Sequence, residues 1–290
     1  MSQNGSISDD KTPGEGLIQG IADWIADVGG VVIDGINGLG SIALFTFDTF
    51  LWLTTRMVRR ETLIQSLYEI GVQSLFVVVM TGGFIGIILA VQTYGQFRFL
   101  HMESRLGAVI GLSLLRELGP VLAATMLAGR VGGAMAAELG TMRVTEQIDA
   151  LASMGTNPIH YLVVPRFLGC LLMIPALTIV ADLVGILGGA VFSLCWFDID
   201  WYPYFIHLQQ CVRPFDLIGG VFKSLFFGAA ISLISCYYGF HCDAGAEGVG
   251  RAATTAFVRS FVVILMLDLV LAIGLESVYL AYWPEGPKLL

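Results

Sequence analysis

The stretch "GLSLLRELGPVLAATMLAGR", residues 111–130, decides the fold. It is built mostly from leucine, alanine and glycine, as a membrane span is, yet Arg116 and Glu117 stand side by side within it. A charged side chain near the bilayer centre costs at least about 2.5–3.5 kcal/mol on insertion scales. Chains keep such residues where they face a bundle interior, a wet cavity or a partner.

The surrounding chain supports a membrane reading. Of 290 residues, 56% are hydrophobic and 13% charged, against about 25% charged in an ordinary soluble domain. The expected fold is an all-α integral membrane protein. The net charge of −8 is concentrated at one end: residues 1–38 carry six acids and one lysine. No basic patch suits nucleic acid, and Lys11, Lys223 and Lys288 are the only lysines. Cys170, Cys195, Cys211, Cys236 and Cys242 are odd in number and lack CxxC spacing, so neither a disulfide framework nor a metal site is expected. The opening "MSQNGSISDDKTPGEG" has no basic and apolar leader pattern; residues 1–38 read as an acidic, partly disordered extension, with an amphipathic pattern over 17–37.

Next comes "LGSIALFTFDTFLWLTTRMVRR" (39–60), with Asp48 inside it and Arg56, Arg59 and Arg60 at its end. Its length suits a span, but the internal acid and basic end favour a helix in the interface plane. Five stronger apolar runs follow, at about 70–94, 106–137, 161–195, 215–240 and 256–283, each near the roughly 20 residues that cross a hydrocarbon core. The permease-like body is therefore 61–283, followed by a short tail, 284–290. Arginines set the orientation. Arg56, Arg59 and Arg60, Arg143 and Arg166, and Arg251 and Arg259 flank regions assigned to the cytoplasm, and they outnumber Arg98 and Arg105 on the other side. The N-terminus is then cytoplasmic and the C-terminus outside. The segment "WFDIDWYPYFIHLQQCVRP" (196–214) lies outside too, its Trp and Tyr suited to the interface.

Arg116 and Glu117 lie about 15 Å into the second run at the helical rise. Adjacent residues on a helix diverge by about 100°, so each needs its own partner. Gly119-Pro120 follows at once, and proline removes a backbone donor and kinks a helix. Lys223 and Asp268 are the other charges singled out within spans, which makes Glu117–Lys223 and Lys223–Asp268 the expected contacts. Three roles stay open for this group: a structural ion-pair network, gating or headgroup handling, and a proton relay. Small residues at four-residue spacing, Gly82/Gly86, Gly129/Gly133/Ala137 and Gly185/Gly189, let backbones approach closely, either within one subunit or at a dimer seam.

No GxxxxGK[ST], HExxH or GxSxG occurs, so the chain is expected to bind no cofactor and to hydrolyse no ATP itself. Between the second and third runs, "TMRVTEQIDALASMGTNP" (141–158) places Val144, Ile148, Leu151 and Ala152 on one helical face, with Gly155 and Pro158 ending the helix. Such a helix either rests on the membrane or docks into a groove of a soluble partner.

The run "LLRELGPVLAATMLAGRVGGAMAAELGTMRVTEQIDALASMGTNPIHYLVVPRF" (114–167) resembles the signature of the MlaE (YrbE) permease family, membrane subunits of ABC transporters that move lipids through MCE-domain proteins. "GVFKS" around Lys223, "GVGRAATTAFVRS" (248–260) and "LDLVLA" (267–272) continue the likeness over about 40–283. The resemblance implies a homodimer in a bacterial inner membrane, with five spans and an N-terminal interfacial helix. It implies a separate ABC ATPase, which binds the ATP, a periplasmic MCE-domain protein and a small cytoplasmic regulatory subunit. It makes 142–158 a coupling helix, with Glu146, Gln147 and Asp149 as contacts and Glu138 and Arg143 at the border. It places phospholipid against Leu89, Phe97, Leu100 and Leu118; "YGQFRFLHM" (94–102) is independently an apolar-aromatic span exit suited to acyl chains. The competing reading is an ion-coupled secondary transporter using Glu117 and Asp268.

Overall fold

A computed structural model describes residues 13–55, 58–197 and 199–282. The first twelve residues of the acidic extension, Arg56, Asp198 and the 284–290 tail lie outside the described residues. Among those described, every element is helical: α1 (Pro13–Thr55), α2 (Arg60–Phe99), α3 (Glu103–Val144), α4 (Gln147–Ser153), α5 (Ile159–Trp196), α6 (Trp201–Cys211), α7 (Pro214–Phe240) and α8 (Gly245–Tyr282). The five expected runs fall in α2, α3, α5, α7 and α8. A sixth stretch, Gly35–Thr55 of α1, is also long and apolar enough to cross a membrane. The amphipathic 17–37 pattern and residues 39–55 of the next run belong to one continuous helix, which ends at Thr55, while Arg60 already begins α2.

The chain divides into two units, Met1–Phe47 and Asp48–Leu290. In the first, Ile33, Ile36, Leu39, Leu44 and Phe47 are all exposed, an apolar surface that bilayer contact accommodates. The second unit is a bundle whose outward residues, such as Phe76, Ile88, Leu187, Val191, Ile218 and Val270, are likewise large and apolar. A soluble bundle turns charged residues outward; this one turns lipid-soluble ones.

Backbone contact holds α2 to α5. Gly82 faces the Ala181 carbonyl, Gly86 faces Gly185, and Gly189 faces the Gly86 carbonyl, so a Cβ added at Gly86 would collide with the Gly185 backbone. Two of the three small-residue stripes thus meet each other inside one subunit. α7 packs on the next face of α5, where Gly228 approaches the Cys170 carbonyl. Phe227, Ile231, Ile174, Leu177, Leu127 and Ile264 fill the space between α3, α5, α7 and α8. Of the 196–214 aromatics, Trp201 and Tyr202 are exposed as interface anchors should be, but Tyr204 is fully buried against Gly107 of α3.

Four π-helical segments interrupt the spans, at Tyr68–Val72, Leu114–Leu118, Ala128–Gly132 and Ile159–Val163. Each widens one turn and withdraws a carbonyl from the usual ladder.

Gly86→Leu is expected to destabilise the bundle by about 1–3 kcal/mol through overpacking, whereas Gly95→Leu, with nothing within 4 Å of its Cβ, leaves it unchanged. Unfolding midpoints of both variants in one detergent check this.

Candidate functional site

The charged stretch that opened the sequence reading sits in the second π segment. There the Gly119 N–H reaches back to the Leu114 carbonyl, and Pro120 has no N–H to give. The carbonyls of Leu115 and Arg116 therefore lose their usual donors. α7 meets both: Gly220 brings its backbone against the Leu115 carbonyl, and Lys223 Nζ donates to the Arg116 carbonyl at 3.2 Å. The Gly119-Pro120 kink is realised as this wide turn, and its freed carbonyl is what the buried lysine fills.

Lys223 is 2% exposed and makes two further contacts, to Glu117 Oε2 at 2.7 Å and to Asp268 Oδ1 at 3.0 Å. Both expected pairings form, on the same ammonium. All three N–H donors of Lys223 are thereby matched by an acceptor, which makes so deep a burial tolerable. Arg116 turns the other way, as the helical divergence requires. Its Nε donates to Asp216 Oδ1 at 2.6 Å, Glu276 lies 3.8 Å from a terminal nitrogen, and the guanidinium stacks 4.9 Å from the Tyr279 ring. Asp216 is 1% exposed in its side chain and also accepts the Arg213 backbone N–H at 2.9 Å, closing the first turn of α7. Both cations and three of the four carboxylates, Glu117, Asp216 and Glu276, line a cleft of about 40 Å³ together with Phe215, Gly219 and Leu275. That is room for a few waters and far too little for a lipid.

Sequence reasoning singled out Lys223 and Asp268 but missed Asp216 and Glu276. Asp216 had a legible signal, since Pro214 with an acid two residues on is a helix start; its partner 100 residues away was not legible. Two more intramembrane polar groups were also missed. Arg130, in the third π segment, donates to Ser74 Oγ at 2.5 Å. Asp182 of α5 is 2% exposed and presses against the Gly119 backbone.

The four proposed lipid contacts separate. Leu89, Phe97 and Leu118 all pack, partly buried, on one cluster around Ala90, Leu106, Ile110 and Leu114. Phe97 also lines a pocket of about 180 Å³ with Met102, Val109 and His207. Leu100 stands apart, exposed at the end of α2.

The coupling segment differs from its expected form. It is not one helix over 142–154: α3 runs through Val144, the chain turns at Thr145 and Glu146, and α4 begins at Gln147. Glu146 adopts φ +59, and its carbonyl accepts the Ala150 N–H. The break carries no Gly or Pro, which is why the pattern hid it. Val144 thus belongs to another helix and is exposed, while Ile148 alone of the four apolar positions is buried. Arg143 bridges the turn to Asp149 at 2.6 Å, and Glu138 pairs with Arg166 at 2.9 Å. Glu146, Gln147 and Asp149 remain exposed. Gly155 caps α4 with φ +76 as expected, and Asn157 with Pro158 starts α5.

Membrane-length helices, a polar turn between two of them and a charge cluster at a broken helix define a membrane transport component. The profile of the family described as Permease MlaE matches residues 63–273. The chain belongs to that family. It is 43% identical to a probable ABC transporter permease protein of Rickettsia conorii over 82% of this chain and 92% of the relative. It is 40% identical to a probable ABC transporter permease protein of Synechocystis, over 78% and 86%. To the intermembrane phospholipid transport system permease protein MlaE of Haemophilus influenzae it is 33% identical, over 87% and 97%. As an ABC permease it is not the ion-coupled secondary transporter entertained from Glu117 and Asp268, and both carboxylates are engaged by Lys223.

Lys223→Ala is expected to cost about 3–5 kcal/mol, because it strands Asp268 and the Arg116 carbonyl. Lys223→Met combined with Glu117→Gln and Asp268→Asn should recover most of that loss. Thermal unfolding of the single and triple variants in detergent checks the order.

Proposed function

We propose that the chain is the phospholipid-moving subunit of an ABC transporter in a bacterial inner membrane, working as a homodimer. The observation that carries the dimer is Glu117. It lies near mid-span with 49% of its side chain open in the single chain, and a carboxylate at that depth is not left facing lipid tails. A second copy across a wet cavity is the environment that suits it. Leu118, next in the chain, shares its apolar cluster with Leu89 and Phe97, so the same cavity has an apolar wall for acyl chains. Leu100, exposed beyond Phe97, extends that wall toward the exit. The Haemophilus relative's name supplies the cargo class, phospholipid.

The remaining parts follow the family. A separate ATPase binds ATP and docks on the turn at Glu146, Gln147 and Asp149, which is exposed and short enough to seat in a groove. Arg143 and Glu138, already paired within the chain, transmit the movement to α3 and α5. A periplasmic MCE-domain protein receives or delivers lipid on the far side, and a small cytoplasmic regulatory subunit acts through the ATPase. This chain contributes no cofactor site. The N-terminus lies in the cytoplasm and the C-terminus in the periplasm; Arg59, Arg60, Arg143, Arg166 and Arg251 then all fall on the inner side. α1 lies along the inner interface over 39–55, which keeps Asp48 out of the hydrocarbon and the number of spans at five.

Glu146→Lys is expected to abolish co-purification of the ATPase or its lipid-stimulated hydrolysis while leaving membrane insertion intact. Unchanged yield and stimulation would exclude the docking role. Leu118→Asp is expected to lower phospholipid-stimulated hydrolysis by about tenfold or more by charging the apolar wall, with the ATPase still bound. Hydrolysis in reconstituted vesicles and pull-down through a C-terminal tag read the two effects separately.

A further inference from the structure

Between the first half of α2, the second half of α3 and the start of α5 lies a cleft of about 450 Å³, whose walls include Glu69, Gln73, Arg130, Met135, Glu138 and Arg166. It shares no residue with the Lys223 cluster or with the Leu89–Phe97–Leu118 wall. Two of its four charges are matched to each other, Arg166 donating to Glu138 at 2.9 Å. The other two have no such match. Arg130 donates to Ser74 Oγ at 2.5 Å and to Gln73 Oε1 at 3.4 Å, both neutral acceptors, and pairs with no carboxylate among the described residues. Glu69 accepts from the Gln65 amide at 3.1 Å and pairs with no cation among the described residues. Both side chains are half-buried rather than sealed, so a ligand in the cleft can reach them. A full charge held on neutral partners at the edge of a hydrocarbon layer is stabilised by an opposite charge brought from outside the chain.

The groups also follow a polarity along the helices. Inward from Arg60, α2 presents Glu69, then one turn later Gln73 with Arg130 upon it, then the exposed apolar Phe76 and Met80. On α3 the exposed Met126 stands one turn beyond Arg130 in the same direction. Carboxylate, cation and apolar surface thus succeed one another within about 16 Å at the helical rise. An aminophospholipid carries the complements in the same order: ammonium outermost, phosphodiester next, acyl chains innermost. We infer that the cleft binds the headgroup of a phospholipid bearing a primary ammonium. The phosphate lies on the Arg130 guanidinium and the Gln73 amide N–H, the ammonium donates to Glu69, and the acyl chains run past Phe76, Met80 and Met126. A trimethylated ammonium has no N–H to give Glu69, and an anionic headgroup without an amine leaves that carboxylate unmatched. Assigning the lipid to the inner leaflet, as cargo bound for the Leu89–Phe97–Leu118 wall, rests on the function and orientation proposed above; binding in the cleft does not.

The test is native mass spectrometry of the full chain released from detergent with dioleoyl-phosphatidylethanolamine, dioleoyl-phosphatidylcholine or dioleoyl-phosphatidylglycerol. The wild type is expected to retain phosphatidylethanolamine over the other two. Arg130→Gln should weaken retention of phosphatidylethanolamine and phosphatidylcholine alike, by about tenfold or more. Glu69→Gln should lower phosphatidylethanolamine to the phosphatidylcholine level and leave phosphatidylcholine unchanged. Because glutamine keeps an acceptor for the Gln65 amide, the Glu69→Gln ratio decides the proposal even where Arg130→Gln loosens the contact between α2 and α3. Equal retention of phosphatidylethanolamine and phosphatidylcholine by the wild type, or an unaltered preference in Glu69→Gln, would overturn the proposal. Displacement of the lipid by equimolar O-phosphoethanolamine would overturn the lipid assignment in favour of a soluble zwitterion. A changed proportion of dimer in both variants with unchanged lipid counts would identify the cleft as a subunit contact and also overturn it. Absence of phospholipid-stimulated hydrolysis from the wild-type complex, with the ethanolamine preference intact, would overturn the transport reading and uphold the cleft.

Discussion

The buried ammonium of Lys223 ties together the parts of the bundle that the sequence leaves most exposed to error. It meets a carboxylate from α3, a carboxylate from α8 and a carbonyl released by Pro120. Each of those three groups is costly alone in a low-dielectric interior. Brought to one cation they become mutually compatible, and α3, α7 and α8 acquire a fixed register. The arrangement also explains why proline is tolerated at mid-span: the acceptor it orphans is supplied by a neighbouring helix, as the absence of water within lipid demands.

Arg116 shows the same logic with different means. The guanidinium has a carboxylate at the first turn of α7 on one side and an aromatic face on the other. Asp216 is engaged twice, by Arg116 and by its own helix start, so a capping residue doubles as a counter-ion. The wide π turn is what lets consecutive charges reach α7 and α8 from one stretch of α3. A straight α-helix with a full ladder would keep its carbonyls internally bonded and offer Lys223 two acceptors rather than three.

Much of the fold was legible because lipid imposes a length and a polarity on every span. The five strong runs matched five helices, and the arginine-rich ends, the Gly155 cap and the glycine stripes were all visible as local patterns. Lys223 with Glu117 and Asp268 was legible too, since in an apolar stretch opposite charges have few places to go. What was hidden depended on backbone geometry that carries no residue signature. The π segments leave no periodicity to find, and the turn at Thr145–Glu146 adopts a positive φ without a glycine to announce it. The unity of α1 was obscured for the opposite reason, because its glycines and acids imitate a boundary that the backbone does not observe. Asp216 was missed because its local role as a helix-start residue is sufficient to account for it.

The contact between α2 and α5 has a mechanical consequence. Where Gly82 and Gly86 lie on the backbone of Ala181 and Gly185, no side chain intervenes to rotate, compress or repack. Such a joint transmits displacement like a welded strut, with neither slip nor backlash. Any large change in the shape of the bundle is therefore carried with these two helices as a single stiff beam. The deformation falls to the widened turns in α3, where the ladder of backbone hydrogen bonds is already interrupted.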